Sequence, residues 1–308
     1  MKLDGNRILV TGGAGFIGSH LVDLLAEKNS VTVADNLSPD RRKTLNKKAN
    51  YVNIDLLNKN PVSEAVKNVD LVVHLAANPL ASLTASSEMI GNITMTYNIL
   101  EAMKENNVNN MAFASSAIIY GNAPVPTKES YGPLKPNSLY AASKLACEAL
   151  ISAYCHTFNM KSWVFRFANV GGPRLRHGPA HDFITKLRNN PSELEVLGDG
   201  SQERCYLHVA DCVDGIARVI ENADSPVNII NLGAEDVITI KRIAEIVIEE
   251  MKLKAKLKFT AKEPKGWKGD VKIFQPDITL AKNLGWKPKR SSEETVRDTV
   301  RSLVLKSP

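Results

Sequence analysis

A Rossmann-type doubly wound parallel α/β sheet, joined to a smaller mixed α/β lobe, is predicted by three features of the chain. Strand-like apolar runs alternate with stretches of helical spacing up to about residue 170. Gly12, Gly15 and Gly18 sit where the first strand turns into the first helix. Leu71-Val72-Val73-His74-Leu75 is a continuous apolar run, the mark of a parallel strand buried on both faces.

The first strand is Arg7-Ile8-Leu9-Val10, and helical spacing follows in Leu21-Val22-Asp23-Leu24-Leu25-Ala26. Between them, Gly12 allows a tight turn, Gly15 a close approach of backbone to a pyrophosphate, and Gly18 close packing of helix on strand. The N–H groups that begin the helix are then free to bind phosphate. A second strand, Val31-Thr32-Val33-Ala34, ends at Asp35, where a carboxylate meets the adenosine ribose of a bound dinucleotide. The carboxylate repels an added 2′-phosphate and so selects NAD over NADP, with Arg41 and Arg42 read as solvated loop charges. Beyond the third strand signal at 71–75 come a helix over 92–105 and a buried strand over 111–115. A loop rich in Pro124, Pro126, Pro133 and Pro136 leads to a helix starting near Ser138, and then to a strand over 162–167. After Gly171-Gly172-Pro173 the pattern loosens into loop, one helix and a short strand at 194–197, and a further core strand returns at 227–232. Residues 1–170 are therefore expected to form the nucleotide domain, with that returning strand, and 171–308 most of an interleaved substrate lobe.

With 308 residues the chain can bury a large core, and its hydrophobic content of 44% is ordinary for a globular protein. No apolar run approaches a membrane span, and the first strand begins too soon to leave room for a signal peptide, so a cytoplasmic protein is expected. Cys147, Cys155, Cys205 and Cys212 lack metal-binding spacings and read as reduced, buried thiols. His177 and His181 lie four apart without a third ligand nearby, so no metal is expected. The net charge of +6 invites a nucleic-acid partner. Much of it, however, lies in Lys252, Lys254, Lys256 and Lys258, which alternate with Leu253, Ala255, Leu257 and Phe259 as one solvated face of an edge strand. A basic surface also suits a substrate that carries phosphates.

Tyr140 and Lys144 stand one helical turn apart. A free phenol, with a pKa near 10, is a poor base at neutral pH. An adjacent ammonium and a positive nicotinamide ring favour its phenolate. Ser115 and Ser116, which end an earlier strand, can hydrogen-bond the same substrate hydroxyl.

With these motifs in view the chain resembles the extended short-chain dehydrogenases/reductases, specifically the NAD-dependent sugar-nucleotide epimerases of the UDP-glucose 4-epimerase type. The likeness runs from Ile8 to about Pro288. It rests on Asp35-Asn36-Leu37-Ser38, Asp55-Leu56, His74-Leu75-Ala76-Ala77, Ser115 to Gly121, the Tyr140/Lys144 pair, Arg166 to Arg174, Leu197 to Arg204, and Gly266 to Asp270.

The resemblance implies that Tyr140 takes the proton of the sugar 4-hydroxyl, that Ser116 holds that hydroxyl, and that Lys144 binds the nicotinamide ribose. It assigns NAD to Gly12, Gly15, Phe16, Ile17, Gly18, Asp35, Asn36, Asp55, Leu56, Leu75, Ala76, Ala77 and Asn92, besides Tyr140 and Lys144. It assigns a UDP-sugar substrate to Ser116, Tyr140, Asn169, His177, Leu197, Gln202, Arg204 and Asp270, and places Phe274 at the sugar pocket wall. Related 4,6-dehydratases carry Asp-Glu after the active-site serine, and UDP-glucuronate decarboxylases the Glu; this chain has Ala117-Ile118, which leaves epimerisation. Two positions depart from the family pattern. Asn78-Pro79 replaces a motif that elsewhere includes a lysine, and Trp267 stands for an arginine that Lys265 or Lys268 would replace. The helices near Asn92 and Ser138 are the pair that the superfamily uses in a homodimer.

Overall fold

The computed structural model describes residues 1–36, 45–78, 86–261 and 273–305. Leu37, Ser38, Arg41, Arg42, Pro79, Lys265, Trp267, Lys268 and Asp270 lie outside the described residues.

The strands in chain order are β1 (Arg7–Thr11), β2 (Ser30–Asp35), β3 (Asn50–Asn53), β4 (Leu71–His74), β5 (Asn110–Ser116), β6 (Lys161–Phe167), β7 (Asn169–Gly171), β8 (Glu193–Val196), β9 (Glu203–Arg204), β10 (Tyr206–His208), β11 (Val227–Leu232), β12 (Ile238–Thr239), β13 (Lys256–Phe259) and β14 (Ile273–Phe274). The α-helices are α1 (Phe16–Leu25), α2 (Lys59–Val66), α3 (Ser86–Glu105), α4 (Leu139–Phe158), α5 (Pro179–Asn189), α6 (Val209–Asn222), α7 (Ile240–Glu250), α8 (Thr279–Asn283) and α9 (Ser292–Leu305).

Seven strands pair in the order β11-β6-β5-β4-β1-β2-β3, every pair parallel. Strand order reverses between β1 and β4, so the two connections diverge there and leave a crevice at the carboxyl ends of both strands. Alternation along each strand feeds two cores. Ile8 and Val10, Leu71 and Val73, and Trp163 and Phe165 pack with Leu21 and Val22 of α1 and Ile216 and Val219 of α6. Leu9, Val72, Met111, Phe113 and Val164 point the other way, onto Val62 of α2, Ile99 and Met103 of α3, and Ile151 of α4. Two-sided burial explains why these strands read as unbroken apolar runs rather than as period-two patterns.

A third core joins α5, α7, α9 and β8 through Phe183, Leu187, Leu194, Ile243, Val247, Val296 and Val300. Small sheets connect it to the large one: β10 pairs with β7, and β9 lies between β12 and β14. The lysine-rich segment is strand only over β13, because Lys252 adopts a left-handed φ of 56° at the end of α7 and turns the chain. Its alternation holds up to Lys258, with Lys254, Lys256 and Lys258 exposed and Lys258 paired with Glu193 of β8, and breaks at Phe259, which is exposed rather than covered. All four cysteines are buried free thiols. Among the described residues no helix is long and apolar enough to cross a membrane.

Candidate active site

The glycine turn has the geometry that its sequence requires. Gly12 has φ +68°, and a Cβ there would stand 2.6 Å from the Ala76 nitrogen. A Cβ on Gly18 would stand 2.2 Å from the Gly12 carbonyl oxygen, so helix and turn touch backbone to backbone. Gly15 precedes α1 without any side-chain cap, which leaves the amides of Phe16 and Ile17 for a ligand. The buried Asp35 carboxylate accepts from the Ala14 N–H at 3.0 Å, which ties the end of β2 to the glycine turn. Asn36 next to it is exposed. At the end of β3, Asp55 is exposed and Leu56 buried; at the end of β4, Leu75, Ala76 and Ala77 are half-buried. This cradle fits a dinucleotide: it offers free amides, a carboxylate, and no Cβ where backbone must approach.

Two buried polar groups stiffen the crevice. The Asn92 carboxamide accepts from Asn78 N–H at 2.8 Å and donates to Asn78 O at 3.2 Å, with Ser143 Oγ at 3.3 Å. It thereby pins the loop after β4 to α3 and α4. His74 bridges Thr11 Oγ1 (2.7 Å) and Thr96 Oγ1 (3.2 Å). Thr96 donates to the Asn92 carbonyl, so it accepts from Nε2–H while Nδ1 accepts from Thr11. Burial, with Lys144 nearby, pushes the imidazole down to about 3 and keeps it neutral.

Ser138 caps α4 by accepting from Ala141 N–H at 3.2 Å, and the helix then presents Tyr140, Lys144 and Glu148 at successive turns. Lys144 is buried; its Nζ donates to the Ala114 carbonyl at 2.7 Å and lies 5.8 Å from the Tyr140 ring centre. Burial lowers it to about 8, against the opposing pull of Cys147 and Glu148. The expected acidification of Tyr140 by this ammonium is not found. Desolvation pushes the phenol up to about 12, and the ammonium is spent on a backbone carbonyl rather than on the phenol oxygen.

The two serines separate cleanly. Ser115 is buried and donates to Glu148, whereas Ser116 is half-buried, and among the described residues its Oγ accepts only the long 3.4 Å contact from Ile118 N–H. A 3-10 turn over Ala117–Tyr120 follows. Ser116 pairs in register with Phe167 of β6, two residues before Asn169.

Asn169 and His177 line a cavity of about 110 Å³ with Gly178, Tyr206 and Thr299. Leu197 and Gln202 meet elsewhere, at the turn that leads into β9. Gln202 is buried with its Nε2 3.4 Å from Leu197 O, and its Oε1 has no partner among the described residues. Arg204 pairs in register with Phe274, which lines a narrow crevice with Tyr120, Gly121, Ala123 and Thr127.

Sequence reasoning passed over a buried ion pair behind the serines. Glu148 and Arg166 meet at 2.7 Å, and Arg166 also donates to the Tyr120 hydroxyl at 3.0 Å. One signal was present: Glu148 continues the four-residue spacing of Tyr140 and Lys144.

The sequence profile of the NAD dependent epimerase/dehydratase family matches residues 8–233, from the first strand of the large sheet to its last. The chain belongs to that family. Its cofactor is NAD. A putative UDP-glucose 4-epimerase of Methanocaldococcus jannaschii is 32% identical over 305 residues, 95% of this chain and 97% of that one. UDP-glucuronic acid decarboxylase 1 of Danio rerio is 31% identical over 317 residues, 96% of this chain and 72% of that one. Among solved structures, a UDP-galactose 4-epimerase superposes with a TM-score of 0.89 at 39% identity, over 97% of this chain and 99% of that one. The chain is thus an enzyme of the UDP-sugar epimerase and dehydratase group.

Proposed function

We propose that the chain epimerises a UDP-hexose at C4, interconverting UDP-glucose and UDP-galactose through a transient 4-keto sugar. The observation that supports this reading is the buried Lys144, whose Nζ donates to Ala114 O of β5 two residues before Ser116 and lies 5.8 Å from the Tyr140 ring centre. Ala117, fully buried, and Ile118 follow the serine, so the position offers no second acid or base for elimination or decarboxylation.

Gly12, Gly15, Phe16, Ile17 and Gly18 would hold the pyrophosphate, Asp35 and Asn36 the adenosine ribose, Asp55 and Leu56 the adenine, and Leu75 to Ala77 the underside of the dinucleotide. Bound NAD supplies reversible acceptance of hydride from C4. Tyr140 removes the O4 proton and later returns it, Ser116 orients that hydroxyl, and Lys144 orients the nicotinamide ribose. Burial, with a smaller push from Cys147, raises the phenol to about 12. The Lys144 ammonium and the positive nicotinamide ring would together favour the phenolate that makes Tyr140 a base. Asn169 and Arg204 would grip the diphosphate, His177 would sit in the nucleotide loop, and Leu197, Gln202 and Asp270 would contact the uridine. Retention of the whole Ser116, Tyr140, Lys144 set counts against a non-catalytic NAD(H) sensor.

The test is incubation of purified protein, without added NAD, with a panel of nucleotide sugars and NMR of the products. Interconversion of UDP-glucose and UDP-galactose is expected. Turnover confined to UDP-N-acetylhexosamines or UDP-uronates would move the reading to those substrates, and release of carbon dioxide from UDP-glucuronate would overturn it.

A further inference from the structure

Tyr140 and Ser116 can share one substrate hydroxyl only if α4 keeps a fixed register against the end of β5. Two side chains one turn apart on α4 reach consecutive residues of that strand. Lys144 Nζ donates to Ala114 O at 2.7 Å, and Ser115 Oγ donates to Glu148 Oε1 at 2.5 Å. The next residue is Ser116. Glu148 is held side-on by Arg166 of β6, with Nε–Oε1 at 3.1 Å and Nη2–Oε2 at 2.7 Å. Arg166 pairs in register with Ser115, so the guanidinium, the carboxylate and the serine hydroxyl converge at one level of the sheet. From there Arg166 Nη1 reaches the Tyr120 hydroxyl at 3.0 Å and the Glu129 carbonyl at 3.1 Å, and Tyr120 donates to Asn231 Oδ1 at 2.8 Å. The far end of the 3-10 turn that Ser116 begins is therefore held by the same network.

We infer that Ser115 and Glu148, backed by Arg166, form a positioning clamp that sets Ser116 against Tyr140. Neither clamp residue touches substrate: Ser115 is 3% exposed and Glu148 6%. The inference rests on the C4 epimerisation proposed above. Among the described residues the Ser115 hydroxyl makes the one side-chain hydrogen bond from the Glu148–Arg166 pair to β5, and removing it leaves Glu148 Oε1 still bonded to Arg166 Nε. A small misplacement of reacting groups is costly, since near-attack geometry tolerates errors well below 1 Å.

The test uses Ser115→Ala in the NAD-loaded enzyme, with kcat and KM for UDP-glucose, bound NAD and thermal midpoint all measured. The clamp predicts kcat lower by about 10-fold, KM and bound NAD unchanged, and a thermal midpoint close to that of the unaltered enzyme. A kcat within twofold of the unaltered enzyme would overturn it, as would a loss matched by a raised KM or by lost NAD. If the unaltered protein does not interconvert UDP-glucose and UDP-galactose, the C4 reading falls, and the clamp with it. An active enzyme indifferent to Ser115→Ala overturns the clamp alone.

Discussion

The Tyr140 phenol sits between two opposed effects: burial raises its pKa, and positive charge lowers it. Lys144 is close enough to count, but its ammonium is bonded to Ala114, and the phenol stays near 12. Tyr140→Phe removes the proton-transfer group without disturbing that anchor. Epimerisation should fall at least about 100-fold while the fold and bound NAD persist. Near-unchanged turnover in the variant would show that another group carries the proton. Phe274 offers a second residue-scale test. Its ring stands in the crevice with Tyr120 and Gly121 and adjoins buried Ala168, Cys205 and Ala234. A rigid ring there would crowd an N-acetyl group, and overpacking costs roughly 1–3 kcal/mol. Plain UDP-hexoses should therefore have the higher kcat/KM, and Phe274→Ser should narrow the gap; equal values in the unaltered enzyme would remove Phe274 from the pocket wall. At this scale the sequence was most legible where backbone geometry is local, as at Gly12 and Gly18. It was least legible at Ser115, because a serine's partner thirty-three residues away leaves no spacing signal.

Elements were legible for a different reason. Strands buried on two faces announce themselves as apolar runs, so β1, β4, β5, β6 and β11 could be placed within a residue or two. The lysine-rich edge was over-extended because its period-two pattern continues through residues where Lys252 has already turned the chain. Polar cross-links between elements left no such trace. His74 joins β4 to β1 through Thr11 and to α3 through Thr96, and it is held neutral at a pKa of about 3, against 6.5 when free. Between those values the unfolded chain binds more protons than the folded one. This contribution to stability is therefore complete above pH 6.5 and declines as the pH falls towards 3. At pH 4.5 the loss is on the order of 2–3 kcal/mol. Thermal unfolding of His74→Asn should accordingly weaken less than that of the unaltered protein between pH 7 and 4.5. Parallel declines in the two proteins would show that His74 is not the group responsible.

On the scale of the whole molecule, α3 and α4 each leave large apolar side chains exposed on the side of the sheet that they cover. Ile90 and Tyr97 on α3 and Leu139 and Phe158 on α4 are 55, 37, 40 and 42% exposed. The same two helices bury their other faces in the second core, through Ile99, Met103 and Ile151. A helix that is apolar on more than one face is built to be covered. A second copy of the chain, related by a two-fold axis, would cover it by packing the two helix pairs into a four-helix interface. Self-complementary surfaces of this kind close into dimers rather than growing further. The expected assembly is a homodimer, and its benefit would reach the active site directly, because α4 also carries Tyr140, Lys144 and Glu148. Sedimentation at micromolar concentration should give a dimer, and Ile90→Glu should shift it towards monomer by placing a charge on the exposed apolar face of α3. A monomer for the unaltered chain at that concentration would leave the face without its proposed cover.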